Sequence, residues 1–445
     1  MNGPQAGIHE KGKTTQEKIE EFFVAIWCLV MPIGGTLLIP SIQGTTPAYM
    51  LAFCSTLFVL LRLQRGQIPA RVFEYAKSAL TIFLIWLFLL VASQVGLMMS
   101  DRHDFLGAEM VDAQDESIVF RTSLFTQSIY LFACVLIALY FRYFFKESWM
   151  RYFFYGGYFM AGYGIYEWLY YLIFHQTGDF LANRTFGTVE HPASWSQTIT
   201  VGGLTLLRIK STLGEPGFFS GAVIPFLFIA MDYRKVMLSG LLIFVALFST
   251  STACYIVLAT CLFIKSVWSG RIRWTYLSIF GFVILFLICI ALLFPDAFYG
   301  AFMQKLSGDN PSGKTRLDGL ITTRDLLSSY TLPNWLFGLG FGYIYNSVFL
   351  AILENTGIVG LTVFVMVLFR PILFLPIKPG TEGVKLGLVA IAILFAMTLS
   401  ELYMPTTWMF LGLAYRKLDE YRQSRRLLST LPREPAPTPL LATSS

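Results

Sequence analysis

Arg184, Glu190, His191, Arg208, Lys210 and Glu215 fall within one stretch, 175–216, where Gly214 and Pro216 bracket Glu215. Arginine stays charged and offers a planar fork of donors, which suits a phosphate or diphosphate group. A carboxylate fixed in a turn beside it can take the proton of an attacking hydroxyl. The plainer alternative is loop punctuation, with interfacial arginines reaching to lipid headgroups. A second stretch, 296–343, holds Arg316 and Arg324 eight residues apart. That spacing would let them share, with Leu320, one face of a short amphipathic helix, pointing into the same cavity. Otherwise they pair with Asp318 and Asp325, and exposed pairs contribute little. Asn346, Glu354 and Asn355 lie in YNSVFLAILENTGIVGL. A carboxylate in an apolar helix is costly and functional by default, although helix packing can also satisfy it. Glu167 is similar, among Tyr163, Tyr166, Trp168, Tyr170 and Tyr171. Those rings suit an interfacial belt or a sugar-stacking surface.

The elements that position these residues are apolar. Of 445 residues 55% are hydrophobic and only 13% charged, against about 25% charged in soluble domains. A soluble enzyme, a disordered chain and a disulfide scaffold are excluded. The six cysteines sit singly in apolar runs and read as small core residues, and the four histidines are scattered. No carboxylate pair or histidine cluster is placed to hold a metal, so neither metal nor cofactor is expected. Gly338, Gly340 and Gly342 lack the strand–helix context of a dinucleotide site.

A spanning helix needs roughly 20 apolar residues. About twelve spans are expected, at 22–41, 46–63, 78–98, 122–145, 152–174, 217–231, 236–250, 252–268, 275–295, 344–369, 386–400 and 403–415, with 236–268 alternatively one re-entrant hairpin. The fold class is an all-α polytopic membrane protein. Its parts are an N-terminal tail over 1–21, a membrane domain over 22–415 and a tail over 416–445. The long outer loops are 99–121, 175–216 and 296–343, and the first, being acidic, reads as a solvated surface loop. With the N-terminus inside, 24 of the 33 Lys and Arg fall on the inner side and 9 outside. Of the 27 Asp and Glu, 11 fall inside, 14 outside and 2 within helices. The positive-inside rule therefore puts both termini in the cytoplasm. Arg416–Arg426 reads as a basic helix, and Pro432–Ser445 as too poor in apolar residues to fold. The basic inner face suits anionic lipid.

About a dozen spans, with a long outer loop before the tenth, resemble the bacterial O-antigen polymerase and O-antigen ligase superfamily. The resemblance rests on Arg208 to Phe226 (RIKSTLGEPGFFSGAVIPF), on Arg316 with the downstream PNWLFGLGFG, on Asn346 to Leu361, and on Arg184 to Gly187. Ligases of this group carry a histidine directly before the asparagine of the tenth helix. Here that residue is Tyr345, which favours the polymerase branch. The resemblance implies a GT-C-like fold in the bacterial inner membrane, with the active site on the periplasmic face. The substrates, both donor and acceptor, would be oligosaccharide repeats on undecaprenyl diphosphate, polymerised into a surface or exopolysaccharide. A chain-length regulator and a flippase would be partners, and nucleic acid would not. Arginines would replace a metal ion in stabilising the departing diphosphate. Arg208 and Arg316 would clamp it, with Arg184 and Arg324 beside them. Glu215 would be the base or an orienter of Arg208, and His191 the second candidate base. An Arg208–Glu215 ion pair without a catalytic part stays open. The rival functions are a ligase transferring glycan to a lipid or protein acceptor, and a transporter of lipid-linked oligosaccharides.

Overall fold

A computed structural model describes residues 14–430 apart from 41, 64–69, 101–104, 185–196, 202–203, 269–271, 296–298 and 300–310. It is mostly helical. Five helices precede the second long loop: α1 (Thr15–Val30), α2 (Pro47–Leu63), α3 (Ala70–Met98), α4 (Thr122–Tyr143) and α5 (Met150–Phe174). An antiparallel hairpin follows, β1 (Thr198–Val201) and β2 (Leu204–Leu207), with Thr198 opposite Leu207. Then come α6 (Pro216–Asp232), α7 (Val236–Phe248), α8 (Thr252–Val267) and α9 (Trp274–Leu293). The last five are α10 (Pro311–Ser328), α11 (Leu332–Phe337), α12 (Val348–Phe374), α13 (Glu382–Met397) and α14 (Pro405–Thr430). Four of these, α3, α4, α9 and α12, are long and apolar enough to cross a membrane.

Burial explains the arrangement. α6 is apolar all round, and every residue from Phe218 to Met231 is buried, as expected of a helix with no polar face. Small residues let its neighbours come close. A side chain on Gly383 of α13 would strike the Phe228 carbonyl, and one on Gly387 would meet Pro225. Gly412 of α14 lies likewise against Ala138 of α4, and Gly156 of α5 against Cys28 of α1. Such small-residue contacts are how helices pack where lipid removes the hydrophobic drive between them. Outward faces are apolar: on α9, Phe282, Leu285, Ile288 and Leu292 are all exposed. Cys28, Cys134, Cys254 and Cys261 are core residues, but Cys54 and Cys289 are exposed on such outward faces.

Contacts sort the helix ends into two sets. One end is a layer of ion pairs: Glu20–Arg62, Glu21–Arg151, Asp419–Arg142, Glu147–Lys417, and Glu382 with Lys265 and Arg273. The other gathers the long loops. Val111 N–H donates to the Tyr343 carbonyl (2.9 Å), Tyr345 N–H to that of Glu109 (2.8 Å) and Val348 N–H to that of Leu399 (2.9 Å). The stretch 105–121, expected to be merely solvated, is thus bonded into the structure. Buried Arg121 fixes it further, through the carbonyls of Ser117 and Asp112.

One boundary differs from expectation. The first span was placed at 22–41, yet α1 runs Thr15–Val30, because Pro32, Gly34 and Gly35 end it and the apolar residues beyond form a folded loop. At the other end the basic helix expected over Arg416–Arg426 is continuous with the last span, α14 running unbroken to Thr430. α7 and α8 are two helices of 13 and 16 residues, separated by a break at Ser249–Ser251. The described parts of 1–21 and 416–430 are therefore helical, while 1–13 and 431–445 lie outside the described residues.

Candidate functional site

The loop-rich end contains a depression. α6, α7 and α8 have 17, 13 and 16 residues, or roughly 20–26 Å at 1.5 Å per residue, short of the ~30 Å of a bilayer core. α3, with 29 residues, reaches about 40 Å. Tyr130, eight residues into α4, meets the Tyr403 ring at 5.9 Å, so the 398–404 turn lies about 12 Å below the top of that helix.

The chain after β2 dives into this depression. Ile209 through Gly214 are buried, and Ser211 takes a left-handed backbone, φ 53°. Ser211 Oγ donates to the Met160 carbonyl (2.7 Å) and Thr212 Oγ1 to that of Pro32 (2.6 Å). In return the Thr212 carbonyl accepts Gly34 and Gly35 N–H at 3.0 and 2.8 Å. Met160 lies fourteen residues before the end of α5, about 21 Å along its axis. Irregular backbone at such depth is tolerated only inside protein or beside a wet cavity. The segment's one charged side chain is Lys210, wholly buried, whose Nζ is 2.8 Å from Glu167 Oε1 and also bonds Asp179. Tyr163 donates to Asp179 at 3.2 Å. Lys210 is therefore a structural cation and Glu167 its partner. The aromatic surroundings of Glu167 hid this pairing in the sequence.

Arg208 enters the depression from the opposite wall. Its Nε–H reaches Thr250 Oγ1 (2.8 Å) and its Nη2 the Thr250 carbonyl (3.1 Å), while Nη1 bonds Gln197. These bonds tie the hairpin to the α7–α8 turn. Burial pulls the guanidinium down from its ordinary range, opposed by the nearby Glu215 charge and by Tyr255. Glu215 precedes Pro216, the first residue of α6, and makes no side-chain cap bond. Its carboxylate lies over the Gly217 Cα, 3.4 Å from where a Cβ would stand, at the positive end of the helix dipole.

A second arginine enters from the α5 side. Arg184 Nη2 is 3.6 Å from Glu401 Oε2, Nη1 donates to the Gly34 carbonyl (3.3 Å) and Nε to Gln43 Oε1 (3.3 Å). Tyr345 shares a 2.6 Å hydrogen bond with Ser400. Burial raises its hydroxyl above the ordinary range, and the charges of Glu401, Glu215 and Glu109 raise it further. Arg184, Arg208, Glu215, Tyr345 and Glu401 thus belong to one electrostatic neighbourhood built from four separate segments. Glu401 was missed in the sequence, where it is one carboxylate between two short apolar runs.

In the third stretch Arg324 follows the plainer of the two readings and pairs with Asp325. Among the described residues of α10 the buried ones are Thr323 and Leu326, while Leu320 is 54% exposed and the Arg324 side chain 78% exposed, at 3.0 Å from Asp325. Eight residues turn a helix by roughly 80° beyond two full turns, so Arg324 stands about 80° round the helix from position 316. The Arg316 side chain lies outside the described residues. Its backbone stands three and seven residues before Gly319 and Thr323, whose face meets Asn346. Thr323 Oγ1 donates to Glu354 Oε1 (2.6 Å), and Asn346 Nδ2 reaches both Thr323 Oγ1 (2.8 Å) and Glu354 (3.1 Å). Glu354 and Asn346 therefore lock α10 to α12. His191 and Glu190 lie outside the described residues, as does Gly187.

The glycines of 338–342 have a backbone role. α12 breaks at Gly357 (φ 64°, ψ −168°), and Gly338 (φ 74°, ψ −166°) crosses it. A Cβ on Gly338 would overlap the Asn355 carbonyl carbon, and one on Gly357 that of Leu336. The break releases the Glu354 and Asn355 carbonyls, which accept Leu339 and Gly340 N–H, both at 3.0 Å. The Asn355 side chain also accepts from Tyr343 and Ile344 N–H at 3.0 and 2.8 Å. Both glycines occupy backbone regions that other residues reach only at about 1–3 kcal/mol, before any overlap. Gly338→Ala is expected to lower the unfolding temperature of the purified protein by several degrees. An unchanged unfolding temperature would show that the crossing is looser than described.

Among the described residues no group of three His, Cys, Asp or Glu is placed to hold a metal ion. No family model, curated protein or solved structure matches this chain.

Proposed function

We propose that this chain is a membrane glycosyltransferase that polymerises polyprenyl-diphosphate-linked oligosaccharide repeats on the outer face of the bacterial inner membrane. The observation that carries the reading is the meeting of Arg184, Arg208, Glu215, Tyr345 and Glu401 in a depression among shortened helix ends. The depression is at the end opposite the layer of basic ion pairs. The positive-inside rule then makes the basic end cytoplasmic and the depression periplasmic.

A lipid diphosphate in the outer leaflet would present its charge at the depth of this floor, with the sugar above it. Arg184, close to the surface, and Arg316, on the α10 edge, are the diphosphate ligands. Each offers paired donors that strengthen as negative charge builds on the leaving oxygen. Arg208, largely engaged by Gln197 and Thr250, orients the loop that carries Glu215. Glu215 takes the proton from the acceptor hydroxyl as it attacks the anomeric carbon and the bond to the diphosphate breaks. Arg324 drops out because it faces away.

Gel analysis of surface and secreted glycan from a deletion strain tests the reading. A polymerase predicts single-repeat material and no ladder. Full-length polymer accumulating on the lipid carrier would make the protein a ligase, and an unchanged glycan profile would remove glycan transfer altogether.

A further inference from the structure

We infer that the basic end carries a binding site for the phosphodiester headgroup of an anionic phospholipid, between the last turn of α12 and the far half of α14. The inference rests on the membrane reading of the chain and not on glycosyl transfer.

Arg422, Arg425, Arg426 and Ser429 follow the i, i+3, i+4, i+7 spacing that puts residues on one face of a helix. With Leu373 and Phe374 from the end of α12, they line an open groove of about 680 Å³. Lys378 adds a further cation, its Nζ 5.5 Å from the centre of the Tyr421 ring that Arg425 also covers.

The carboxylates of this helix are engaged elsewhere. Asp419 pairs with Arg142, and Glu420 with Arg416 and Lys417. Among the described residues Arg422, Arg425 and Arg426 take part in no ion pair, in contrast to Arg416 and Lys417 on the same helix. Uncompensated guanidinium groups with paired donors select a phosphate-type anion.

The apolar half of the groove decides between a lipid and a free phosphate. Leu373 and Phe374 are 69% and 59% exposed, where α12 ends among the ion pairs of the basic end. A floor of this kind accepts the glycerol backbone and first methylenes of a lipid while the arginines hold its phosphate. Basic pockets between spanning helices on the cytoplasmic side recognise anionic lipid in this way.

Native mass spectrometry of the detergent-solubilised full chain, titrated with phosphatidylglycerol, phosphatidylcholine or inorganic phosphate, tests the site. Phosphatidylglycerol should be retained in preference to phosphatidylcholine. R422A/R425A/R426A should bind it roughly a hundredfold more weakly while unfolding in phosphatidylcholine at the wild-type temperature. R71A/K77A, which removes exposed charge elsewhere on the same end, should bind as the wild type does. Should the triple variant not fold, the single R425E at an exposed position must weaken binding by about tenfold. Equal retention of the two lipids, undiminished binding by the arginine variants, or an equal loss in R71A/K77A would overturn the site. Displacement of phosphatidylglycerol by equimolar inorganic phosphate would also overturn the lipid assignment, leaving a free-phosphate site.

Discussion

Arg184→Ala will abolish the long-chain glycan ladder in a complemented deletion strain while the protein remains in the membrane at normal abundance. Arg184 reaches the depression from the 182–184 turn, held by the Gly34 carbonyl and Gln43 and balanced by Glu401 at 3.6 Å. If it stabilises the departing diphosphate, its removal should cost about 10²–10³ in turnover, the range seen when one preorganised donor is lost. Arg184→Lys keeps the charge and loses the fork, so an intermediate ladder is expected. Arg316→Ala should match Arg184→Ala. Arg324→Ala should stay within about twofold of wild type, because that side chain is exposed and paired only with its neighbour. Equal effects of Arg316→Ala and Arg324→Ala would contradict the different roles given to the two arginines.

Lys210→Met will destabilise the protein more than any surface change. It leaves Glu167 and Asp179 without their shared cation at positions 0% and 4% exposed. Removing one partner of a buried ion pair typically costs about 3–5 kcal/mol, mostly because the opposite charge is stranded. The unfolding temperature in detergent should fall, and polymer should disappear because the 208–215 segment loses its anchor. The triple variant K210M/E167Q/D179N removes the stranded charges and should recover much of the stability. Wild-type stability in Lys210→Met would show that the triad does not hold the segment.

How much of this was legible beforehand depends on whether the signal is local. Apolar runs long enough to span, and the charge bias between alternate loops, are properties of short windows, and α2, α4, α5 and α9 fall close to where those windows put them. Arg184, Arg208 and Glu215 were identifiable because residue type and neighbouring Gly and Pro mark a constrained polar loop. The partners were not legible. Lys210 lies two residues from Arg208 and looks equivalent to it, yet one is buried against α5 and the other bonds the α7–α8 turn. Glu401 meets Arg184 across 217 residues of chain, a contact that no periodicity encodes. The spacing of Arg316 and Arg324 does not fix their direction, because eight residues approximate two turns and leave about 80° between the positions.

Reconstitution tests the central claim most directly. The purified protein in liposomes, given a synthetic undecaprenyl-diphosphate-linked repeat as donor and acceptor, should build a ladder of products. It should release one lipid diphosphate for each linkage formed, and Arg184→Ala should suppress both together. A wild-type protein, folded and correctly inserted, that leaves the repeat unextended and releases no lipid diphosphate would contradict the assignment.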